Sequence, residues 1–306
     1  MAHPSPNFVA YLHKMSAMKI ITPQETNVVY FSALLPEKFP DDFARIKTIL
    51  DKYGIEYRYL KATRDIWCRD YMPIQISEND FVQFRYEPSY LKTDEDLIGR
   101  SDPKQVNEAN GFKPEYSRIN LDGGNVVRYK EKVMITARVF RENQNLALTR
   151  DELREQLSHD LKSHVIIKPE HPADQIDHAD GNVRFLDENH VLINELQREY
   201  QYWREGMEKI RNEQNLSYIE IPWFTPKRKK DSLSAIGYYI NYLEIGNLIM
   251  IPKFEIEGNR DQETLDLFKS LFPTRNIEQV NINAIAEEGG LLNCITWNIR
   301  KPETRD

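Results

Sequence analysis

The sequence predicts a mixed α/β fold made of many short strands with helices between some of them. Short β-branched or alternating apolar runs recur along the whole chain. Four stretches between them read as helices from apolar spacing, capping residues or charge pattern. The chain has 306 residues, 40% of them hydrophobic, enough for a substantial core, and α/β chains of this size often form one domain. No low-complexity tract or sharp change in composition divides residues 1–306, so one domain is expected.

The expected strands are Asn27–Phe31, Ile55–Leu60, Phe81–Tyr86, Val133–Ala137, Val165–Lys168, Val191–Asn194, Tyr218–Ile221, Tyr239–Leu243, Leu248–Ile251 and Cys294–Ile299. Phe43, Ile46, Ile49, Leu50 and Tyr53 share one face of a first helix, with Gly54 as its stop. Thr149 and Glu152 form a capping box that opens a second helix through about Leu157. Glu199–Glu213, rich in charge, reads as a solvent-facing third. Asp261 is expected to cap a fourth, turning Leu265, Phe268, Leu271 and Phe272 inward. Lys92–Lys113 is polar and reads as a long surface loop, a candidate lid. No internal repeat is visible in the residues themselves.

Composition excludes several classes. A net charge of −7 leaves no broad basic surface for nucleic acid, and it suits a cationic small partner. The basic cluster Lys227–Asp231 reads as a solvated turn. Two cysteines, Cys68 and Cys294, make no disulfide framework and point to a reducing compartment. The first residues hold no continuous apolar stretch of the secretory type, and no segment has the length of a membrane span. A cytoplasmic protein with no membrane contact is expected.

Four segments carry candidate chemistry: Arg64 to Pro73 with Trp67, Cys68, Arg69 and Asp70; Leu121-Asp122-Gly123-Gly124-Asn125; Asp177-His178-Ala179-Asp180-Gly181-Asn182; and Glu287 to Cys294 with Gly289 and Gly290. Singly, each has an ordinary explanation. Asp-Gly-Gly-Asn is good turn chemistry, a lone cysteine is usually inert packing, and a lone histidine is often a satisfied core residue. Asp177–Glu188 fails the EF-hand pattern, because Gly181 comes one place early. His171, His178 and Cys294 lack zinc-site spacing, so no metal or other cofactor is expected.

Together the segments resemble the agmatine deiminase and Porphyromonas-type peptidyl-arginine deiminase family, within the wider guanidino-group-modifying superfamily. Trp67-Cys68-Arg69-Asp70-Tyr71-Met72-Pro73 resembles that family's Trp-x-Arg-Asp-x-Gly-Pro. Asp122-Gly123-Gly124-Asn125 resembles its acidic-Gly-Gly-Asn/Ser turn, and His178-Ala179-Asp180 with Arg184-Phe185 its His-x-Asp and Arg-Phe. Tyr239-Ile240-Asn241-Tyr242 resembles its Tyr-x-Asn-Phe/Tyr, and the approach to Cys294-Ile295-Thr296 its nucleophile turn. The matches keep family order from about residue 67 to 299. Two departures stand out: Asn293 replaces the usual His before the nucleophile, and Met72 replaces a Gly.

The resemblance implies the pentein fold, a five-bladed pseudo-symmetric α/β propeller with its site in a central channel. The residue pattern alone fits an ordinary α/β sandwich equally well. The resemblance also implies Cys294 as nucleophile, His178 as acid/base, and Asp70 and Asp180 as the carboxylates that clamp a guanidinium. Asp122, Asn241, Trp67 and Gly290 are implied as substrate-binding or supporting residues, and Cys68 as packing. Such a set suits the chemistry: a planar delocalised cation needs paired acceptors, and a thiolate attacks its central carbon better than water does. The implied partner is a small cationic guanidino compound. Agmatine leads, with peptidyl-arginine or another guanidino compound as the alternative. A homodimer is implied by the family only, since no apolar surface stripe marks one. Two other classes compete: a papain-like protease, which would place its cysteine first in the chain and leave Asp70 and Asp180 idle, and a non-catalytic guanidinium-binding protein.

Overall fold

The computed structural model describes residues 20–171, 174–226 and 233–302. The Lys227–Asp231 cluster lies outside these described residues. Within them the chain forms five three-stranded sheets. The first uses β1 (Val28–Ser32), helix α1 (Pro40–Lys52) and β2 (Glu56–Leu60). The second holds β3 (Ile74–Gln75), β4 (Phe81–Arg85), helices α2 (Asp94–Gly99) and α3 (Pro103–Asn110), and β5 (Glu115–Asn120). The third holds β6 (Val127–Tyr129), β7 (Lys132–Thr136), α4 (Arg150–Leu161) and β8 (His164–Lys168). The fourth holds β9 (Val183–Phe185), β10 (His190–Asn194), α5 (Gln201–Glu213) and β11 (Ser217–Ile221). The fifth holds β12 (Leu243–Ile245), β13 (Leu248–Lys253), α6 (Asp261–Leu271) and β14 (Asn276–Asn281), and β15 (Trp297–Ile299) returns to the first.

Every sheet has one design. A short strand runs antiparallel to a central strand, and the central strand is parallel to a third strand reached through the helical crossover that parallel pairing requires. In the first sheet the short strand is β15, paired Val28↔Ile299 and Tyr30↔Trp297, so the end of the chain closes the ring. This is the five-bladed α/β propeller.

Burial explains the elements. All of β1 is buried, as are the first five residues of β13, which fits central strands covered on both faces. Helix α1 turns Phe43, Ile46 and Leu50 inward, and Gly54 follows at φ +63°, where glycine is unstrained. In α4 the reciprocal cap forms, with Thr149 Oγ1 accepting from Glu152 N at 3.2 Å and Glu152 accepting from Thr149 N at 2.8 Å. Its apolar stripe Leu153, Leu157 and Leu161 carries the helix past Leu157.

Several expectations need correction. Residues 239–242 and 294–296 are not strand; they lead into β12 and β15 as irregular chain, buried except at Cys294. Lys92–Lys113 is no open loop, because Thr93 and Asp102 cap α2 and α3. Those helices escape a periodicity reading because only Val106 and Asn107 of them are buried. Helix α5 is not solvent-facing: Trp203, Met207 and Ile210 form a buried stripe under the charged face. Asp261 opens α6 without capping it. Its carboxylate accepts from Phe254 N, Glu255 N and the Tyr239 hydroxyl at 2.8–3.1 Å. The strands that went unread, β3, β5, β6, β9, β12 and β14, are two or three residues long or largely polar.

Trp297 measures what closure is worth. It is 2% exposed, donates Nε1–H to Pro73 O at 2.8 Å, and packs edge-on against Phe112. Trp297→Ala is expected to cost about 3–5 kcal/mol in urea unfolding, whereas Tyr116→Ala, at an exposed position, should stay within about 0.5 kcal/mol.

Candidate active site

Because each third strand is parallel to its central strand, all five connections to the next blade leave at the same end of the ring. Each connection carries expected site residues. Residues 61–73 hold Trp67 and Asp70, residues 121–126 hold Asp122, and residues 169–182 hold His178 and Asp180. Residues 222–242 hold Asn241, and residues 282–296 hold Gly290 and Cys294. A cavity of about 400 Å³ opens there, bordered by His178, Asp180, Asn241, Gly290 and Cys294. Asp70, Asp122 and Trp67 do not border it; they support groups that do.

Asp122 Oδ2 lies 2.8 Å from His178 Nε2, and the Tyr90 hydroxyl donates to the same oxygen at 3.2 Å. Asp70 Oδ1 accepts from Gly124 N at 3.0 Å and lies 3.5 Å from His178 Nδ1. The imidazole thus stands between two buried carboxylates. Burial alone lowers its pKa, but Asp70 and Asp122 outweigh this and raise it to about 10. Burial raises Asp70 to about 7; His178 opposes that rise, and Asp122 and Asp180 add to it. The Cys294 thiol is held well above its ordinary value by burial and by Asp180 and Asp70. The imidazole is therefore the group that favours its proton, and the thiol on the same cavity is the one that resists ionisation.

Two amides organise the other wall. Asn293 Nδ2 donates to Asp180 Oδ2 at 2.6 Å. Asn241 Oδ1 accepts from Asn293 N at 3.0 Å and lies 3.5 Å from Cys294 Sγ. Asn241 therefore serves the nucleophile turn and has no contact with His178. Arg69 ties the first connection to the last, donating N–H to Cys294 O and Nε–H to Asn293 O, each at 3.2 Å. Cys68 is wholly buried and its thiol points at Ile295 O, 3.1 Å away, which is a packing position.

The glycines work through their missing side chains, not through turn geometry. A Cβ on Gly123 would lie 2.0 Å from Arg69 O, and one on Gly124 would lie 2.6 Å from both Asp70 Oδ1 and His178 Nδ1. Neither has positive φ. At Gly290 a Cβ would fall 2.3 Å from the Trp67 ring, so the indole packs flat against backbone.

Several contributors went unread. Tyr90 falls between the expected strand Phe81–Tyr86 and the expected loop Lys92–Lys113, and nothing in its sequence neighbourhood signals a site. Glu199, His171, Asn194 and Tyr238 border the cavity but fall outside every motif. Among the described residues no group of three or more His, Cys, Asp or Glu is placed to hold a metal ion.

The comparisons with known proteins agree with this geometry. Residues 9–299 match the model of the Porphyromonas-type peptidyl-arginine deiminase family. The chain belongs to that family. No curated protein sequence matches it. Among solved structures, an agmatine deiminase of C. jejuni is 16% identical with a TM-score of 0.73, covering 94% of this chain and 97% of its own. An agmatine deiminase of Enterococcus faecalis is 15% identical, also with a TM-score of 0.73 and the same coverage. SxtG, an amidinotransferase of Microseira wollei, is 12% identical with a TM-score of 0.59, covering 94% of this chain and 98% of its own. At these identities the likeness establishes the fold.

The His178 environment gives a direct check. In NMR titration its imidazole should stay protonated through neutral pH and lose its proton near pH 10. Asp122→Asn removes a bonded carboxylate and should move that titration to lower pH. An unchanged value would mean that Asp122 does not hold the ring.

Proposed function

We propose that this protein is a cysteine-dependent deiminase of a small cationic guanidino compound, with agmatine hydrolysed to N-carbamoylputrescine and ammonia. The observation that carries the reading is the meeting of Cys294, His178 and Asp180 on one cavity, with Asp70 and Asp122 bracketing the imidazole. The substrate's tail is argued from the rest of the lining. Asp174 and Glu199 border the cavity, and no Lys or Arg does among the described residues. A second positive charge suits such a wall, and the α-carboxylate of free arginine does not. Asn194 adds an acceptor: beside the cavity its Oδ1 is buried with no hydrogen-bond partner among the described residues.

On this reading Asp180, on the cavity wall, accepts the guanidinium N–H groups, and Asp70 stands behind it at His178 Nδ1, adding its charge to the site. The bound cation lowers the cost of ionising Cys294, which the acids otherwise oppose. The thiolate adds to the guanidinium carbon, His178 gives a proton to the departing nitrogen, and ammonia leaves a covalent S-linked amidine. Water then adds to the same carbon, giving up a proton to His178. The C–S bond breaks to release the ureido product, and the thiol reforms. Asp122 and Asn241 are positioning residues, the first for the imidazole and the second for the nucleophile turn. The reading treats residues 1–306 as one deiminase unit in a reducing cytoplasm, where the free thiols of Cys68 and Cys294 persist. Among the described residues no helix is long and apolar enough to cross a membrane.

The test is incubation of the purified protein with agmatine, free arginine and an N-acyl-arginine peptide, with ammonia and ureido product measured. Agmatine should be turned over fastest, and Cys294→Ala should reduce the rate at least about ten-thousand-fold. Faster turnover of the peptide would replace the substrate and keep the reaction; no ammonia from any of the three would defeat the reading. Glu199→Gln should raise KM for agmatine about tenfold with little change in kcat, the pattern of lost tail binding.

A further inference from the structure

A second cavity, of about 100 Å³, lies on the same axis, and no step of the proposed reaction uses it. The short strands run from the site loops toward the hairpin end of the ring, and each presents a polar residue to this cavity. They are Asn298 from β15, Gln75 from β3, Arg128 from β6, Arg184 from β9 and Glu244 from β12. In the four three-residue strands the polar residue is the middle one, flanked by Trp297 and Ile299, Val127 and Tyr129, Val183 and Phe185, or Leu243 and Ile245. Arg69 reaches in from the first connection, and Asp180 borders both cavities.

The charges here are not balanced. Asp180 already accepts from Asn293, and Glu244 is paired with Arg275 at 2.8 Å. Arg184 is 8% exposed, and among the described residues no carboxylate is paired with it; its guanidinium lies over the Tyr242 ring at 4.5 Å and interacts with the Tyr242 hydroxyl. Arg128 spends Nη2 on Ile21 O and Gln75 O, while its buried Nη1 has no partner among the described residues. Burial alone lowers Arg128, to about 10, and Arg69 is lowered by burial and by the neighbouring Arg184. Three guanidiniums border one small cavity, and the buried unpartnered donor of Arg128 is unfavourable unless an anion completes it.

We propose that this axial cavity is a binding site for a small oxyanion, phosphate or a carboxylate, held by Arg128 and Arg184 with Arg69 beside them. Arginine presents its donors as a flat fork that matches both ligand types, and three such cations border one small cavity. The neighbouring amides brace the arginines: Asn298 Oδ1 accepts from Arg69 Nη2 at 2.7 Å, while the amide donors of Gln75 and Asn298 are spent on Glu78 O, Arg300 O, Thr26 Oγ1 and Glu244 O. The site is independent of the deiminase reading.

The test is isothermal titration of the full chain with inorganic phosphate and, separately, acetate, at constant ionic strength. One saturable site per chain is expected, and the tighter of the two arms identifies the preferred oxyanion. Arg128→Gln and Arg184→Gln should each weaken binding about tenfold or more, the usual cost of a lost charged hydrogen bond. Arg184→Lys, which keeps the charge, should lose less than Arg184→Gln. Circular dichroism establishes that each variant is folded. Should Arg128→Gln fail to fold, Arg128→Lys keeps the cation and still removes the unpaired Nη1. Absence of saturable binding to the unaltered protein by either anion overturns the proposal. So does unchanged affinity in folded variants.

Discussion

The antiparallel pairing of β15 with β1 is the contact on which the site depends. It joins residues 297–299 to residues 28–30, and it is set by backbone bonds such as Asn27 N to Ile299 O at 3.0 Å. Only with the ring closed does the last connection stand beside the first, where Arg69 can bond both Asn293 O and Cys294 O. The nucleophile turn is thus held by residues more than two hundred positions away. Its local bonds, such as Cys294 N to Leu291 O, would not aim the sulfur by themselves. Closure entropy is offset by burial instead: Trp297 and Ile299 enter the same apolar cluster as Val28 and Tyr30.

Inside the ring, three carboxylates, one imidazole and one thiol share a small buried volume. His178 neutralises part of the acid charge, and burial keeps Asp70 partly protonated near neutral pH while the thiol stays whole. The pocket is therefore short of one cation. A guanidinium supplies it, so on the proposed reading binding and activation are one event: the charge that the acids attract is the charge that makes a thiolate tolerable beside them. Asp122 has a different part. It faces Nε2 and does not border the cavity, so it fixes the ring without competing for substrate.

Much of this was legible in the sequence, for reasons that differ by element. The central strands were found because β-branched runs such as Val28–Tyr30 and Leu248–Ile251 are buried on both faces. The helix at Pro40–Lys52 was found because its apolar residues repeat at helical spacing. Of the short inner strands only β15 was read, inside Cys294–Ile299; the others are two or three residues long with a polar member, too little for a period to declare itself. That same polar centre conceals the repeat. Arg128, Arg184, Glu244 and Asn298 are unlike one another, yet they occupy one register in four blades. For the site, the order of motifs drew attention to Cys294, His178, Asp70 and Asp180. The burial partners Tyr90 and Asn194 left no trace, since a hydroxyl or amide becomes notable only when folding puts an acceptor or a cavity beside it.

Asn293 shows how a departure from family pattern can be read physically. Its amide donates to Asp180, and its backbone N–H goes to Asn241, so one residue fixes both an acid and the nucleophile turn. The family's usual histidine at this place could also donate, but its charge would vary with pH. An asparagine amide cannot ionise, so the partner of Asp180 is the same at every pH at which the protein is folded. Asp180 borders both axial cavities, with Arg69 on one side and Cys294 on the other. A partner that cannot ionise holds the acid's Oδ2 in one place between the two cavities.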